Sequence, residues 1–346
     1  MSQLEQADQV DPAAAAIPGD RSDFPELTDP YRRELFAHCY RMLGSAYDAE
    51  DLVQETYLRA WRSYDSFEGR SSLRTWLYRI ATNVCLTALD GRDKRPLPTG
   101  LGQPSSDPES ALVSSPEVPW LEPVPDAMTG ADSTDPATVV ASRASIRLAF
   151  VAALQHLPPR QRAVLILRDV LAFRAAEVAD AVGISTVAVN STLQRARAQL
   201  ALVAPDEDSL TEPTEPDQKE LLDRYVQAFW DKDVATLVKL FTKDVVWEMP
   251  PFTGWYQGAE VVSRLIDTNC PGGPRDMRMV RTSANAQPAF GLYMRADDGR
   301  FWPFQLQVLT VRDRVSHVAA FFDVSLFRLF GLPASVPAPD EETGLT

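Results

Sequence analysis

His317 and Asp323 lie six residues apart in the apolar run "RVSHVAAFFDV", so an extended strand places both on one face as a conceivable general acid–base pair. Strand alternation does not say which face is inward, and a lone His serves equally well as a hydrogen-bonded core residue. Other chemistry-bearing residues suit nucleic acid better. Arg70, Arg74, Arg79 and Asn83 combine phosphate-binding guanidiniums with an amide that can pair with a base edge. A third set is acidic, in "DAEDLVQETYLRAW", Asp48 to Trp61. The three histidines (His38, His156, His317) have no metal-ligand spacing. Cys39, Cys85 and Cys270 form no CxxC and read as small buried hydrophobes. No metal and no cofactor is expected.

The acidic stretch reads as a helix with Asp48 as N-cap and Glu50 and Asp51 at the positive dipole end. Val53, Tyr57, Ala60 and Trp61 make one apolar stripe. Asp51, Gln54, Glu55 and Leu58 share another face, which capping and dipole do not explain. That face is either solvated or a dock for a basic partner. The next helix, "SFEGRSSLRTWLYRIATNVCLTAL", takes Ser71 or Ser72 as cap and buries Leu73, Trp76, Leu77, Ile80 and Val84. Its opposite side shows Arg74, Arg79 and Asn83.

Further on, Ile146 to Leu157 form a helix stopped by Pro158-Pro159, and a second begins near Arg160. In "AAEVADAVGISTVAVNSTLQRARAQL" a short helix (Ala175, Val178, Ala179, Val182) leads through Gly183-Ile184-Ser185 to a longer one capped by Ser185. Short helix, glycine turn and longer helix make a helix-turn-helix over about 175–199, although an ordinary helical hairpin has the same outline. Thr186, Val187, Asn190, Ser191, Gln194, Arg195 and Arg197 face outward and suit a major groove.

Net charge is −14 over 346 residues, which argues against nucleic acid until the charge is located. Residues 31–95 carry eleven Lys/Arg against nine acids, and residues 141–201 carry eight Arg against three acids. The acid sits in the arms and linkers, so two blocks are basic enough for weak DNA contact. The boundaries are an acidic arm 1–30, a block 31–95, a Pro-rich acidic linker 96–139, a block 140–203, a linker 204–217, a block 218–331 and a tail 332–346. The N-terminus is acidic and no apolar run spans a bilayer, so a cytoplasmic protein without membrane contact is expected. The linker segment "EVPWLEPVPD" carries Trp120, an aromatic that gains by docking on a surface.

Together the two helical blocks resemble regions two and four of an extracytoplasmic-function sigma factor of the sigma-70 class. The fold class this implies is multidomain: two all-α sigma domains, a region 2 bundle and a region 4 helix-turn-helix, plus a third block. By this resemblance Asp48, Glu50, Asp51, Gln54, Glu55 and Leu58 dock on the β′ clamp helices of core RNA polymerase, and the β flap is a further contact. Phe67, Arg70, Ser71, Ser72, Arg74, Arg79 and Asn83 melt and read the minus-ten element, with Asn83 on a flipped base. The helix-turn-helix reads the minus-thirty-five element. Promoter DNA and core polymerase are the implied partners, and the protein is not expected to be an enzyme.

The third block opens with two helices and continues with strand-like runs, "DVVWEM", "AFGLYMRA", "FWPFQLQVLTV" and "RVSHVAAFFDV", with "FTGWYQG" and a short helix near Ala259 to Ile266. This resembles the SnoaL-like, NTF2-like α+β cone. Trp247, Trp255, Tyr256, Tyr293, Gln305, Gln307, His317 and Asp323 are the expected pocket residues. The resemblance leaves room for a small ligand there, and for contact between this domain and the sigma domains or linker that modulates sigma activity. Two alternatives are a ligand-responsive DNA-binding regulator and a SnoaL-like isomerase or cyclase fused to DNA-binding domains.

Overall fold

The structure, a computed structural model, describes residues 21–105, 107–129, 143–203 and 215–338. The chain divides into two compact units. One takes the chain up to Arg92 together with Leu157–Leu202, and the other takes Asp93–His156 and the chain from Val203 onward.

The first unit is helical. Helices α1 (Phe24–Thr28), α2 (Arg32–Leu43), α3 (Ala46–Ser63) and α4 (Leu73–Ala88) enclose a core that includes Leu35, Tyr40, Met42, Val53 and Leu77, all fully buried. Gly44 ends α2 in the left-handed region (φ 71°), where a Cβ would be strained. Ser45 then caps α3, its Oγ accepting the Asp48 N–H at 3.1 Å. This corrects the expected cap: α3 starts earlier than the acidic run suggests, and Asp48 lies in its first turn. Ser72 caps α4 by accepting the Thr75 N–H at 3.1 Å. Cys39 and Cys85, distant in sequence, meet as free thiols in this core.

Helix α5 (Pro159–Leu165) runs into a π-helical turn, Ile166–Val170, and then come α6 (Ala175–Val182) and α7 (Thr186–Leu200). Gly183 closes α6 with φ 72°, and Ser185 caps α7 by accepting the Ala188 N–H at 3.2 Å. The expected helix-turn-helix is thus formed residue for residue. Buried Arg162 donates to the backbone carbonyls of Met42 and Leu157, satisfying them inside the unit.

The second unit is built on six strands, β1 (Phe241–Glu248), β2 (Trp255–Gln257), β3 (Met277–Ala284), β4 (Gln287–Arg295), β5 (Phe301–Val311) and β6 (Val315–Phe321), in the order β2-β1-β6-β5-β4-β3. Only the β1–β6 pair is parallel. Helices α8 (Glu215–Asp231), α9 (Val234–Leu240) and α10 (Ala259–Asn269) cover one face. Tyr225, Phe229, Leu237, Trp247, Leu265 and Val318 share the core beneath them. Strand β3 was not legible as a run, because Arg278, Arg281, Thr282 and Ser283 interrupt its apolar residues. Pairing with β4 along its whole length makes it the sheet edge.

The Pro-rich segment after residue 95, expected as a linker whose Trp120 stretch gains by docking, is laid on this unit. Leu121 and Val124 are fully buried, the Leu121 N–H donates to Pro96 O at 3.0 Å, and Arg95 Nη1 donates to Trp120 O at 3.1 Å. Prolines prevent it from making its own ladder, so the sheet domain supplies partners. Asn285 Oδ1 accepts the Val124 N–H at 2.9 Å while its Nδ2 donates to Ile146 O at 2.8 Å. Gln287 Oε1 accepts the Leu148 N–H at 3.0 Å. The helix Leu148–Leu154, expected to open the second basic block, therefore belongs to the sheet unit.

Candidate functional site

On α3, Ala49, Val53, Thr56 and Ala60 are buried at helical spacing, and this rotates Asp51, Gln54 and Leu58 outward. Leu58 is 50% exposed. Around this strip the other acids are held: Asp48 by Arg92 at 3.2 Å, Glu50 by Arg32, and Glu55 by Arg59 at 2.6 Å. Fixed carboxylates beside an exposed leucine make a ready surface for a basic, partly apolar partner.

The expected minus-ten residues divide into three groups. Phe67 is buried, its ring 4.9 Å from Trp76, so it holds the loop rather than facing out. Arg70 and Ser71 are exposed, and Arg70 pairs with Glu68 at 2.8 Å. Arg74, Arg79 and Asn83 are engaged. Arg74 pairs with Glu34 at 2.9 Å and lies over the rings of Tyr78 and Phe173. Arg79 Nη1 meets Asp180 Oδ2 at 3.1 Å, and Asn83 Nδ2 donates to Ala181 O at 3.2 Å. Helix α6 thus touches the polar face of α4 at Arg79 and Asn83, while Asn83 stays exposed.

The seven expected recognition residues on α7, Thr186, Val187, Asn190, Ser191, Gln194, Arg195 and Arg197, are all exposed. Val187 is 78% exposed. Arg197 is clamped by both oxygens of Asp169 at 2.7 and 2.8 Å, and Arg195 Nε reaches Ser191 O at 3.3 Å.

In the sheet unit the expected pocket is partly reassigned. A cavity of about 290 Å³ lies under the helices, and of the expected residues only Trp247 and Gln305 line it. Tyr256 is buried in the same core without lining the cavity, and Trp255 donates its indole N–H to Gly102 O at 3.0 Å. Tyr293 belongs to a separate cluster with Phe301, Phe327 and Val336, its hydroxyl donating to Pro333 O at 2.8 Å. Gln307 accepts the Tyr225 hydroxyl at 2.8 Å. His317 neighbours Val318, which faces the core, so alternation turns the imidazole to the other side. There its Nε2 lies 2.7 Å from Glu248 Oε1, while Glu248 Oε2 accepts the Thr99 N–H at 3.0 Å. Asp323 falls past the end of β6 and accepts the Ser325 N–H at 2.9 Å. The acid–base pair expected from strand alternation is therefore not assembled.

The sigma-70 region 2 family matches residues 27–95, and the sigma-70 region 4 family matches residues 147–200. The ECF RNA polymerase sigma factor SigG of Mycobacterium tuberculosis is 61% identical over 319 residues, spanning 91% of this chain and 85% of that protein. The chain belongs to the ECF RNA polymerase sigma factors. The sigma factor SigJ of the same organism is 30% identical over 312 residues, 85% of this chain and 89% of its own. The crystal structure of SigJ superposes with a TM-score of 0.57 at 25% identity, covering 89% of this chain and 99% of that one.

As a sigma factor, the chain directs promoter-specific transcription initiation by RNA polymerase through regions 2 and 4. Its third block is a mixed-sheet domain with helices over one face of the six strands. Among the described residues no helix is long and apolar enough to cross a membrane. Sequence reasoning missed three residues of this sigma factor that organise its sites: Asp180, Glu248 and Asn285. Each carries a polar side chain whose partner is remote in sequence, and no local period marks it. Asn285 sits in the left-handed backbone region (φ 55°), a conformation Asn tolerates.

Proposed function

We propose that the strip Asp51, Gln54 and Leu58, with Asp48, Glu50 and Glu55 beside it, docks on the β′ clamp helices of core polymerase. In this reading Arg70, Ser71, Ser72, Arg74, Arg79 and Asn83, on a loop held by Phe67, meet the minus-ten element. Thr186, Val187, Asn190, Ser191, Gln194, Arg195 and Arg197 meet the minus-thirty-five element, and region 4 also contacts the β flap. The NTF2-like domain modulates sigma activity through the linker it holds. Such a protein works where the polymerase is, in the cytoplasm.

The observation that carries this reading is the unequal state of the two DNA faces. The α7 residues are exposed, whereas Arg79 and Asn83, although solvent-accessible, are hydrogen-bonded to α6 of the other region. An amide donating to a carbonyl does not offer that donor to a base, so region 4 must leave region 2 before the minus-ten strand is read. This fits a resting form of a two-site reader. Run-off transcription with purified core polymerase tests it. Full-length protein should initiate at promoters bearing both elements, and an Asp51→Lys, Leu58→Lys double variant should not. Initiation by the double variant at the normal level would remove α3 as the docking face.

A further inference from the structure

The loop from Phe67 to Ser72 has a single side-chain anchor. Of the described residues from Asp65 to Ser72, Phe67 alone is buried. Arg70 pairs with Glu68 inside the loop, which adds no tie to the helices. The place of the loop therefore follows the surface on which the Phe67 ring rests. That ring meets Trp76 of α4 at 4.9 Å, and Trp76 meets Tyr64 at 6.5 Å. Tyr64, 2% exposed, opens the 3-10 turn Tyr64–Ser66 that leads from α3 into the loop.

A segment far upstream closes this cluster. Phe24, the first residue of α1, is buried and sets its ring edge-on to Trp61 at 5.3 Å and to Tyr64 at 5.2 Å. Such pairs add to what burial of the rings contributes. Three residues earlier, Arg21 holds Asp65 of the same turn, Nε donating to Oδ1 at 2.9 Å and Nη2 to Oδ2 at 2.5 Å. A two-pronged pair fixes direction as well as distance. The Arg21 guanidinium also lies 5.5 Å from the centre of the Trp61 ring. At the other end of α1 the Tyr57 hydroxyl donates to Thr28 O at 3.1 Å. The turn is thus held by Phe24 on its buried side and by Arg21 on its exposed side. Both residues precede the stretch 27–95 that matches the region 2 family.

We propose that Phe24 and Arg21 are positioning residues for the minus-ten loop, setting where Arg70 and Ser71 meet promoter DNA. The inference rests on the assignment of that loop to the minus-ten element. Packed interiors transmit small shifts rather than absorbing them. Without the Phe24 ring, Tyr64 tilts toward the vacated space, and Trp76 and Phe67 follow it. Hydrogen bonds to a base weaken steeply with distance and angle, so the shift falls on discrimination at the minus-ten element. Core docking on α3 and reading by α7 use other surfaces.

Holoenzyme assembled from the full-length protein tests this on one promoter and on copies with a single substitution in either element. Phe24→Ala should lower discrimination at the minus-ten position by roughly twofold to tenfold, the range for one edge-to-face ring pair. Discrimination at the minus-thirty-five position and core affinity should stay as they are. Arg21→Glu should lower minus-ten discrimination by up to about fivefold, the limit for an exposed pair, and adding Asp65→Arg should restore it. An equal loss at both elements would overturn the proposal, since it marks a general weakening of the protein. So would normal minus-ten discrimination in Phe24→Ala beside a loss in an Arg70→Ala, Ser71→Ala double variant, which leaves the loop assignment standing. If that double variant also discriminates normally, the loop assignment has failed and the proposal falls with it. Should Phe24→Ala fail to fold by circular dichroism, Arg21→Glu and its charge-swapped partner decide alone, because Arg21 and Asp65 are 44% and 68% exposed.

Discussion

The side-chain amide of Asn83 on α4 donates to the backbone carbonyl of Ala181 on α6 at 3.2 Å. Ala181 is in the last turn of α6, where carbonyls lack intrahelical donors. Asn83 thus satisfies an orphan acceptor of the helix-turn-helix, and Arg79 pairs with Asp180 one residue earlier. Two residues suited to reading DNA are used instead to hold the other DNA-binding region.

Asp180→Lys should loosen this contact, because it replaces an ion pair with two like charges. The pair is substantially exposed (42% and 66%), so its worth is at most about 1 kcal/mol, a shift of roughly fivefold in the docked population. Energy transfer between dyes on α3 and α7 should fall, and open-complex formation should accelerate by a similar factor. Unchanged transfer efficiency would show that other contacts hold the regions together.

The docking strip separates binding from folding. Asp51 and Leu58 are exposed, so Asp51→Lys with Leu58→Lys should leave the thermal midpoint of the protein within a degree or two. Core-polymerase affinity should fall by about tenfold or more if the face meets a basic partner, because like charge now opposes it. Fluorescence anisotropy with labelled core enzyme reads this directly.

Recognition by α7 should split by chemistry. Arg195→Ala is expected to weaken all promoters alike and to lower the salt slope by about one. Asn190→Ala should relax preference at one base position, with a cost of about 1–3 kcal/mol at that position alone. Binding measured across a panel of minus-thirty-five variants at two salt concentrations distinguishes them.

His38 gives region 2 a pH dependence. Burial, with Arg41 and Arg74 adding like charge, lowers its pKa to about 3, and its Nε2 meets Thr82 Oγ1 at 3.1 Å. The folded protein keeps this imidazole neutral, whereas the unfolded chain protonates it below about 6.5. Stability is therefore full above the unfolded value and is lost as pH falls from about 6.5 toward 3. From pH 7 to 5 the loss is about 2 kcal/mol at most. Denaturant melts of His38→Gln should lack that component of the slope.

Asn285 ties the linker to the sheet unit through two buried hydrogen bonds. Asn285→Ala leaves the Val124 N–H and Ile146 carbonyl unpaired and places Ala at a left-handed position, at a cost of about 2–4 kcal/mol in all. The thermal transition of the sheet unit should fall, and limited proteolysis should cut between residues 96 and 129 first.

The sequence alone carried whatever rests on local period and short motifs. The helix-turn-helix was readable because Ala175, Val178 and Val182 repeat at helical spacing, Gly183 supplies the left-handed turn and Ser185 caps the next helix within one stretch. The same held for the exposed acidic strip, since burying Val53 and Ala60 turns Asp51 and Leu58 outward whatever the partner. The capping error at Asp48 shows the limit of that reasoning, because several residues near a helix start can serve and the backbone of Ser45 decides. Tertiary structure alone decided pairings between distant residues. Nothing near Asn83 announces Ala181, nothing near Val124 announces Asn285, and the face taken by His317 depends on which side of β6 the helices cover. Hydrogen bonds of this kind form only after strands and helices have packed. Their partners are set by the fold's geometry, which no local spacing encodes.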